Sequence, residues 1–152
     1  MLKAKDIMTK DVITVKPEAT VENLARLLME HKISGVPVVD DEKKIVGIVT
    51  ENDLIRKNKR FHIPTIIRLF DAYILLGSGK ADAEIKKMAA STVGEICTEK
   101  VVSIQEDTSL EDIATIMAEQ HIHLLPVLSD NTVIGIVGKA DVVRSMTHEA
   151  SK

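Results

Sequence analysis

The chain carries two amphipathic stretches in which apolar residues recur every three or four positions, the spacing that places them on one face of a helix. Thr20 precedes the first stretch and Ser109 precedes the second, and both residue types are good helix N-caps. We therefore predict two helices, each with one buried face. The apolar positions are Val21, Leu24, Ala25, Leu27 and Leu28 in the first helix and Leu110, Ile113, Ala114, Ile116 and Met117 in the second.

Short runs of β-branched residues flank each predicted helix. One run precedes each helix, at 12–15 in the first stretch and at 101–104 in the second. Two more runs follow each helix on either side of a polar turn: "VPVV" and "IVGIV" in the first stretch, "LPVL" and "VIGIV" in the second. A last short helix is predicted to begin near Glu51 and again near Lys139. The order of elements in each stretch is therefore β-α-β-β-α.

The two stretches are copies of one another, because "DIMTKDVITVKPEATVENLARLLMEHKISGVPVVDD" aligns without a gap with "EICTEKVVSIQEDTSLEDIATIMAEQHIHLLPVLSD". At about fifty residues, each copy is near the lower limit for a core of its own. We therefore predict an α/β (α+β) fold in which the copies pack as a pseudo-twofold pair. The predicted organisation is a first copy at 1–56, a helical insert or linker at 57–91, a second copy at 92–147 and a tail at 148–152.

Composition narrows the classes of function. Of the 152 residues, 45% are hydrophobic, and the formal net charge of −3 gives no electrostatic reason to bind nucleic acid. The N-terminus has no apolar stretch of signal-peptide length, and the most apolar segment, "IPTIIRLFDAYILLG", is interrupted by charges and too short to span a bilayer. The single cysteine, Cys97, is consistent with a reducing compartment. We expect a cytoplasmic protein without a membrane partner.

The predicted insert contains all three aromatic residues of the chain, Phe61, Phe70 and Tyr73, among many aliphatic ones. Apolar residues occupy nearly every side of the helix predicted there, so that helix should be buried. It packs either on its own domain or against another subunit or an effector protein, since aromatic residues are enriched at interfaces. The two alternatives are equally consistent with the sequence.

One ten-residue segment occurs twice with an informative change: "GIVTENDLIR" at 47–56 returns as "GIVGKADVVR" at 135–144. In the first copy, Thr50 is predicted to end a strand and Asp53 to lie in the first turn of the next helix, so the pair can cap that helix. The same position suits a ligand, because a helix N-terminus favours phosphate and a carboxylate accepts hydrogen bonds from ribose hydroxyls. Taken alone, the pair is more typical of capping.

The context of this segment resembles a known family. "SGVPVVDDEKKIVGIVTENDL" and "HLLPVLSDNTVIGIVGKADV" are similar to the repeats of tandem cystathionine-β-synthase (CBS) domains, the Bateman module, and the resemblance covers 4–56 and 92–144. It implies a regulatory sensor of an adenosine nucleotide such as AMP, ADP or ATP, with S-adenosylmethionine as a further candidate. The resemblance implies that Thr50 contacts the phosphate and Asp53 the ribose. In this context we therefore prefer the ligand-binding interpretation of the pair to the capping one.

The resemblance also implies which other residues hold the nucleotide. The family surrounds the adenine with the segment before the first helix of the repeat and with the segment that reads "SGVP" here. The implied nucleotide-binding residues are Ile13, Thr14, Ser34, Gly35, Val36, Pro37, Thr50 and Asp53.

The second copy departs from the family pattern. Gly138 stands where the first copy has Thr50 and offers no hydroxyl to a phosphate, whereas Asp141 keeps its place and can still hold a ribose. We therefore expect the two sites to be unequal. The second, weaker site is expected at Val102, Ser103, Leu125 and Asp141, close to His123.

His121 and His123 alternate along the chain, so on an extended segment they would face the same side. No further ligands have recognisable spacing, and we predict no metal site. The resemblance places His123 near a nucleotide phosphate, with an ordinary surface histidine as an equal alternative, whereas His121 is predicted to be solvated. Cys97 has no cue for an activated thiol, and its apolar counterpart Met8 favours a packing role.

No nucleophile, general base and orienting acid stand out, so we predict neither an enzyme nor a catalytic cofactor. The leading hypothesis is a regulatory module that binds an adenosine nucleotide in the cleft between the copies, forms a homodimer and signals to an unknown effector protein. The alternative is a structural or interaction module that binds no ligand and docks a partner through the apolar insert. An enzyme or redox switch using Cys97 is a third class, with no support from the residues around it.

Overall fold

The computed structural model describes residues 1–56 and 91–150, so the predicted insert lies outside the described residues except for Ser91. The fold is α+β, as predicted. The elements in chain order are helix α1 (Ala4–Ile7), helix α2 (Val21–His31), strands β1 (Gly35–Val39) and β2 (Ile45–Thr50), helix α3 (Glu51–Arg56), helix α4 (Val93–Ile96), strand β3 (Ile104–Gln105), helix α5 (Leu110–Gln120), strands β4 (Leu124–Ser129) and β5 (Thr132–Gly138), and helix α6 (Lys139–Ala150).

The two amphipathic helices are α2 and α5, and both begin where the sequence predicts. The Thr20 hydroxyl accepts a hydrogen bond of 3.1 Å from the Asn23 N–H, and the Ser109 hydroxyl accepts one of 3.1 Å from the Asp112 N–H. Both N-cap predictions are confirmed. The side chains that each helix buries are Val21, Leu24, Ala25 and Leu28 in α2, and Leu110, Ile113 and Met117 in α5.

The strands form one small sheet in each copy. Strand β1 pairs with β2, and in the second copy the order is β3-β4-β5, with β3 parallel to β4 and β4 antiparallel to β5. The β-rich segment at 12–15 is reduced to one parallel bridge, between Val15 and Val38. Pro17, two residues after Val15, has no N–H, so the pairing does not continue beyond Val15 in that direction.

The described residues fall into two compact units that do not coincide with the two copies. One unit consists of Met1–Ile13, Lys43–Ile45 and Val101–Lys152, and the other of Thr14–Glu42 and Val46–Lys100. Each unit therefore joins the first segment of one copy to the body of the other. We call them the α5 unit and the α2 unit, after the long helix that each contains.

Backbone hydrogen bonds hold these exchanged segments in place. In the α5 unit, the Ala4 N–H at the start of α1 donates to the Thr108 carbonyl at 2.8 Å. In the α2 unit, the Val93 N–H at the start of α4 donates to the Ala19 carbonyl at 2.8 Å. The two hydrogen bonds join corresponding positions of the repeat, so both exchanged segments are held by the same backbone contact.

Two glycines of the "IVGIV" and "VIGIV" strands give room to sulfur-containing side chains. A Cβ at Gly47 would lie 2.9 Å from Cys97 Sγ, and a Cβ at Gly135 would lie 2.9 Å from Met8 Cγ. Cys97 is buried, which supports the packing role predicted for it. Glycine at these two positions thus leaves space for Met8 and Cys97, one from each exchanged segment.

Helix α6 continues to Ala150, so the predicted boundary between the second copy and a tail at 148–152 falls within this helix. None of the helices in the described ranges is both long enough and apolar enough to cross a membrane.

Candidate functional site

The first candidate site is built at the point where β2 passes directly into α3, in the α2 unit. The Thr50 N–H donates to Asp53 Oδ2 at 2.9 Å, and the Asp53 N–H approaches Thr50 Oγ1 at 3.4 Å. This reciprocal pair is the capping arrangement that the spacing of the two residues predicts. Asp53 is only 2% exposed, so its carboxylate is held by hydrogen bonds rather than by water.

A third residue, Thr98, completes the surroundings of this carboxylate. Its hydroxyl donates to Asp53 Oδ1 at 2.9 Å. Two backbone hydrogen bonds between Thr98 and Ile48, of 3.0 and 2.8 Å, hold Thr98 next to strand β2 and so within reach of Asp53. The sequence analysis did not find Thr98. A usable signal was present, because the threonine occurs in both copies, in "DIMT" and in "EICT".

The "SGVP" segment lies beside this turn. The Ser34 carbonyl accepts a hydrogen bond of 2.9 Å from the Glu51 N–H, which brings Ser34 to the start of α3. At the other end of the segment, the Pro37 carbonyl accepts one of 3.1 Å from the Val15 N–H, next to Thr14. Gly35, Val36 and Pro37 are buried, whereas Thr14 is exposed.

The α2 unit therefore brings together most of the residues implied for the first site. They lie along the N-terminal end of β1 and around the first turn of α3: Thr14, Ser34, Gly35, Val36, Pro37, Thr50 and Asp53. Ile13, the remaining one, belongs to the α5 unit.

The second copy repeats this backbone arrangement in the α5 unit. The His123 carbonyl accepts a hydrogen bond of 2.9 Å from the Lys139 N–H, as Ser34 does in the first copy. The Gly138 N–H donates to Asp141 Oδ2 at 2.8 Å, as the N–H of Thr50 does to Asp53. The carboxylate thus keeps its place although the preceding hydroxyl is lost.

The partners of the two carboxylates differ. Arg144 donates from its guanidinium to Asp141 Oδ1 at 2.5 Å, where Asp53 has the Thr98 hydroxyl. The Asp141 side chain is 19% exposed and that of Arg144 is 72% exposed, so this ion pair lies at the surface. The two carboxylates therefore differ in their partners as well as in the residue that precedes the turn.

The other residues expected at the second site differ in how far they are buried. Leu125 is fully buried and pairs with Val137 across β4 and β5, and Val102 packs partly buried against the same core. Ser103 and His123 are exposed. Of these, only His123 is linked to the turn that carries Asp141, through its backbone carbonyl.

One exposed ion pair joins Lys16 Nζ to Asp41 Oδ1 at 2.7 Å. Their hydrogen bond and mutual attraction raise the pKa of Lys16 and lower the pKa of Asp41. Among the residues that the structure describes, no three His, Cys, Asp or Glu side chains are grouped as a metal would need, and His121 is exposed.

Comparison with known proteins identifies the family of this chain. The sequence model of the CBS domain matches residues 4–60 and 93–148, which are the two copies. CBSX1, a chloroplastic CBS domain-containing protein of Arabidopsis thaliana, is 32% identical over 154 residues that cover 92% of this chain and 62% of CBSX1. The chain thus spans about three fifths of the length of that relative.

Solved structures show the same fold. CBSX2 of Arabidopsis thaliana in complex with AMP is 27% identical, with a TM-score of 0.75 and 99% of each chain covered. The CBS domain pair of MJ0100, in complex with 5′-methylthioadenosine and S-adenosyl-L-methionine, is 26% identical, with a TM-score of 0.72 and 98% of each chain covered. Because the family match includes both copies, this chain belongs to the CBS domain family and carries a tandem pair of CBS domains.

Proposed function

We propose that this CBS pair is a regulatory module that binds an adenosine nucleotide (AMP, ADP or ATP) and passes the bound state to a partner protein. The observation that carries the proposal is the arrangement around Asp53, where a buried carboxylate, the Thr50 hydroxyl and the start of a helix meet. A carboxylate accepts hydrogen bonds from the hydroxyl groups of a ribose, and the positive end of a helix favours a phosphate.

A ribose hydroxyl would take the place of the Thr98 hydroxyl in this arrangement. The Thr98 hydroxyl donates one O–H···O hydrogen bond to Asp53 Oδ1, which is the kind of bond that a ribose hydroxyl makes. Exchange of one hydroxyl donor for another leaves the buried carboxylate satisfied, so binding avoids the penalty of an unpaired acceptor. The adenine would then lie against the segment from Ser34 to Pro37, near Thr14.

The relatives support this choice of ligand class. CBSX2 is described in complex with AMP, and the MJ0100 pair with 5′-methylthioadenosine and S-adenosyl-L-methionine. All three ligands contain adenosine and differ in what the 5′ position carries. We propose an adenosine nucleotide for the first copy because Thr50 adds a hydroxyl for a phosphate.

Replacement of Asp53 by Ala tests the proposal. We expect a loss of about tenfold or more in AMP affinity, measured by calorimetry, because hydrogen bonds to a charged acceptor contribute about 1.5–3 kcal/mol. Asp112→Ala is the matched control, since Asp112 occupies the first turn of α5 and no ligand role is proposed for it. Loss of about 1 kcal/mol in stability with unchanged AMP and ATP binding would mean that Asp53 only caps α3.

That last outcome would favour the second candidate function, a structural module that binds no ligand. The observation in its favour is that Asp53 already has hydrogen-bond partners within the chain, Thr50 and Thr98. In that case the partner would dock on the protein surface, including the apolar insert at 57–91.

We also propose that the protein is a homodimer in the cytoplasm. Helix α6 exposes Val143 and Met146, which are 54% and 50% exposed and lie one turn apart on the same face. Exposed apolar surface of this kind favours association. Light scattering at micromolar concentration should give the mass of a dimer, and a monomer would contradict the proposal. Replacement of 61–91 by a flexible linker should weaken the dimer while AMP still binds.

A further inference from the structure

The exchanged segment of the α2 unit, which contains α4, is held at both of its ends. At its start, the Val93 N–H donates to the Ala19 carbonyl at 2.8 Å. At its other end, residues 97–98, Thr98 makes two backbone hydrogen bonds with Ile48 and one from its hydroxyl to Asp53 Oδ1. The 97–98 end is therefore the end that is joined to the proposed site.

The 97–98 end also carries the single cysteine of the chain. Cys97 is 7% exposed, and a Cβ at Gly47 would lie 2.9 Å from its Sγ, so the thiol packs directly on strand β2. The three hydrogen bonds of Thr98 keep Cys97 in this position, because the two residues are adjacent in the chain. Fewer bonds at Thr98 would therefore expose the thiol more often.

The hydrogen bond from Thr98 to Asp53 is the one that a ligand would remove. In the proposed function, a ribose hydroxyl takes Asp53 Oδ1, the oxygen that accepts from Thr98. The Thr98 hydroxyl would then turn to water, which is close because the side chain is half-buried. The two backbone bonds with Ile48 would remain. Local opening of the 97–98 end would become more frequent, because a bond to a charged acceptor is a strong one.

In the second copy, the corresponding carboxylate oxygen is bonded within its own helix. Thr9, the counterpart of Thr98, makes two backbone bonds with Ile136, of 2.9 and 3.0 Å. Asp141 Oδ1, however, accepts from Arg144, three residues further along α6. A ligand that displaced Arg144 would release an exposed side chain of α6 and leave the backbone bonds of Thr9 in place.

We propose that occupation of the first site opens the 97–98 end of the exchanged segment, whereas the corresponding segment of the second copy does not respond to a ligand. The proposal rests on the proposed function, in which a ribose hydroxyl binds Asp53. Thr98 is then a positioning residue, which acts through the carboxylate that it shares with the ligand. The bound state of one copy is thereby converted into a change of backbone position around α4.

Alkylation of Cys97 by iodoacetamide, followed by mass spectrometry on the full chain, tests this coupling. Saturating AMP should raise the rate about fivefold or more, because opening of the 97–98 end no longer breaks a hydrogen bond to a carboxylate. Simple stabilisation by a ligand has the opposite sign. A ligand that binds only the folded chain makes unfolding rarer and slows alkylation.

Variants of Thr98 identify the link. In Thr98→Val, Cys97 should react fast without AMP, and AMP should add little. Thr98→Ser keeps the hydroxyl and should restore both the slow rate and the response to AMP. Ser109→Ala is the control for stability, because it removes the N-cap of α5 in the other unit and leaves the surroundings of Asp53 intact. It should keep the full response.

Met8→Cys in a Cys97→Ala background moves the thiol to the counterpart position in the second copy. Met8 precedes Thr9 as Cys97 precedes Thr98, so this variant reports on the other exchanged segment. AMP should not accelerate its alkylation.

Calorimetry on the same samples separates this inference from the proposed function. AMP binding with unchanged or slower alkylation of the parent protein would overturn the inference and leave the proposed function standing. Equal acceleration by AMP in the parent and in Thr98→Val, or in the parent and in Met8→Cys, would overturn it as well. If AMP did not bind to the parent protein, the proposed function would fail, and the inference would fail with it.

Discussion

The hydroxyl of Thr98 donates a hydrogen bond of 2.9 Å to the carboxylate of Asp53, although 45 residues separate them along the chain. Thr98 belongs to the second copy and follows α4, whereas Asp53 belongs to the first copy and lies in the first turn of α3. The residue proposed to hold the ligand therefore also holds the exchanged segment of the α2 unit. In the proposed site, a ribose hydroxyl and the docked segment would compete for the same oxygen, Asp53 Oδ1.

Thr98→Val should separate these two roles. We expect a loss of about 1.5–3 kcal/mol in the free energy of unfolding, because a hydrogen bond to a buried charged acceptor is removed. We expect AMP affinity to rise about fivefold, because the ribose no longer displaces an internal donor. Chemical denaturation and calorimetry give the two quantities. Thr9→Val is the control in the other unit. A parallel loss of stability and AMP affinity would contradict the exchange of hydroxyls.

Much of the fold could be predicted from the sequence because its signals are local. The helical periodicity after Thr20 and Ser109 and the capping hydroxyls define α2 and α5 without reference to the rest of the chain. The strand expected at 12–15 was predicted too long. β-branched residues indicate that a segment can pair, whereas the length of the pairing depends on where its partner strand lies.

The exchange of first segments between the copies could not be predicted in the same way. It rests on backbone hydrogen bonds such as those of Ala4 with Thr108 and of Val93 with Ala19, and a backbone group gives no residue-specific signal. The site was predictable where the motif is contiguous, at Thr50 and Asp53. Thr98 and Arg144 were missed, because their roles depend on which residues the fold brings to each carboxylate.

Gly138→Thr should give the second copy the phosphate contact that we propose for Thr50 in the first copy. There is room for it, since a Cβ at Gly138 would lie 3.7 Å from Asp141 Oδ2 and 3.8 Å from Leu124 Cδ1. The parent protein should show one tight nucleotide site per chain, the one around Thr50. Gly138→Thr should strengthen AMP binding at the second site about fivefold, by one added hydrogen bond.

Gly138→Ala is the control for this substitution, because it adds the Cβ without the hydroxyl. It should leave AMP affinity at the second site near the parent value. Titration calorimetry gives both the stoichiometry and the affinities. Two equal sites in the parent protein, or equal gains from Ala and Thr, would show that the hydroxyl at this position does not distinguish the copies.

His123 gives a separate test of phosphate binding. Its side chain is exposed, and its carbonyl is bonded to the first residue of α6. His123→Ala should weaken ATP binding more than adenosine binding, because only ATP has a phosphate that could accept a hydrogen bond from the imidazole N–H. The matched control is His121→Ala, which should affect neither ligand. Equal losses for ATP and adenosine would exclude a phosphate role for His123.

Alanine at Gly47 should destabilise the protein more than alanine at Gly135. At Gly47 the new Cβ would lie 2.9 Å from Cys97 Sγ and 3.1 Å from the Thr98 carbonyl oxygen, and neither a short buried side chain nor the backbone can move away easily. At Gly135 the nearest atoms all belong to Met8, whose flexible side chain can adopt another rotamer. We expect a cost of about 1–3 kcal/mol for Gly47→Ala and a smaller one for Gly135→Ala.

A double-mutant cycle identifies the cause of this difference. Cys97→Ala leaves space beside Gly47, so Gly47→Ala should cost less in that background than in the parent, with a coupling energy of about 0.5 kcal/mol or more. Met8→Ala should act in the same way on Gly135→Ala. Urea denaturation followed by circular dichroism measures all the variants. If the cost of Gly47→Ala were the same in the Cys97→Ala background as in the parent, contact with the sulfur would not be the reason for the glycine. The close Thr98 carbonyl would then account for it.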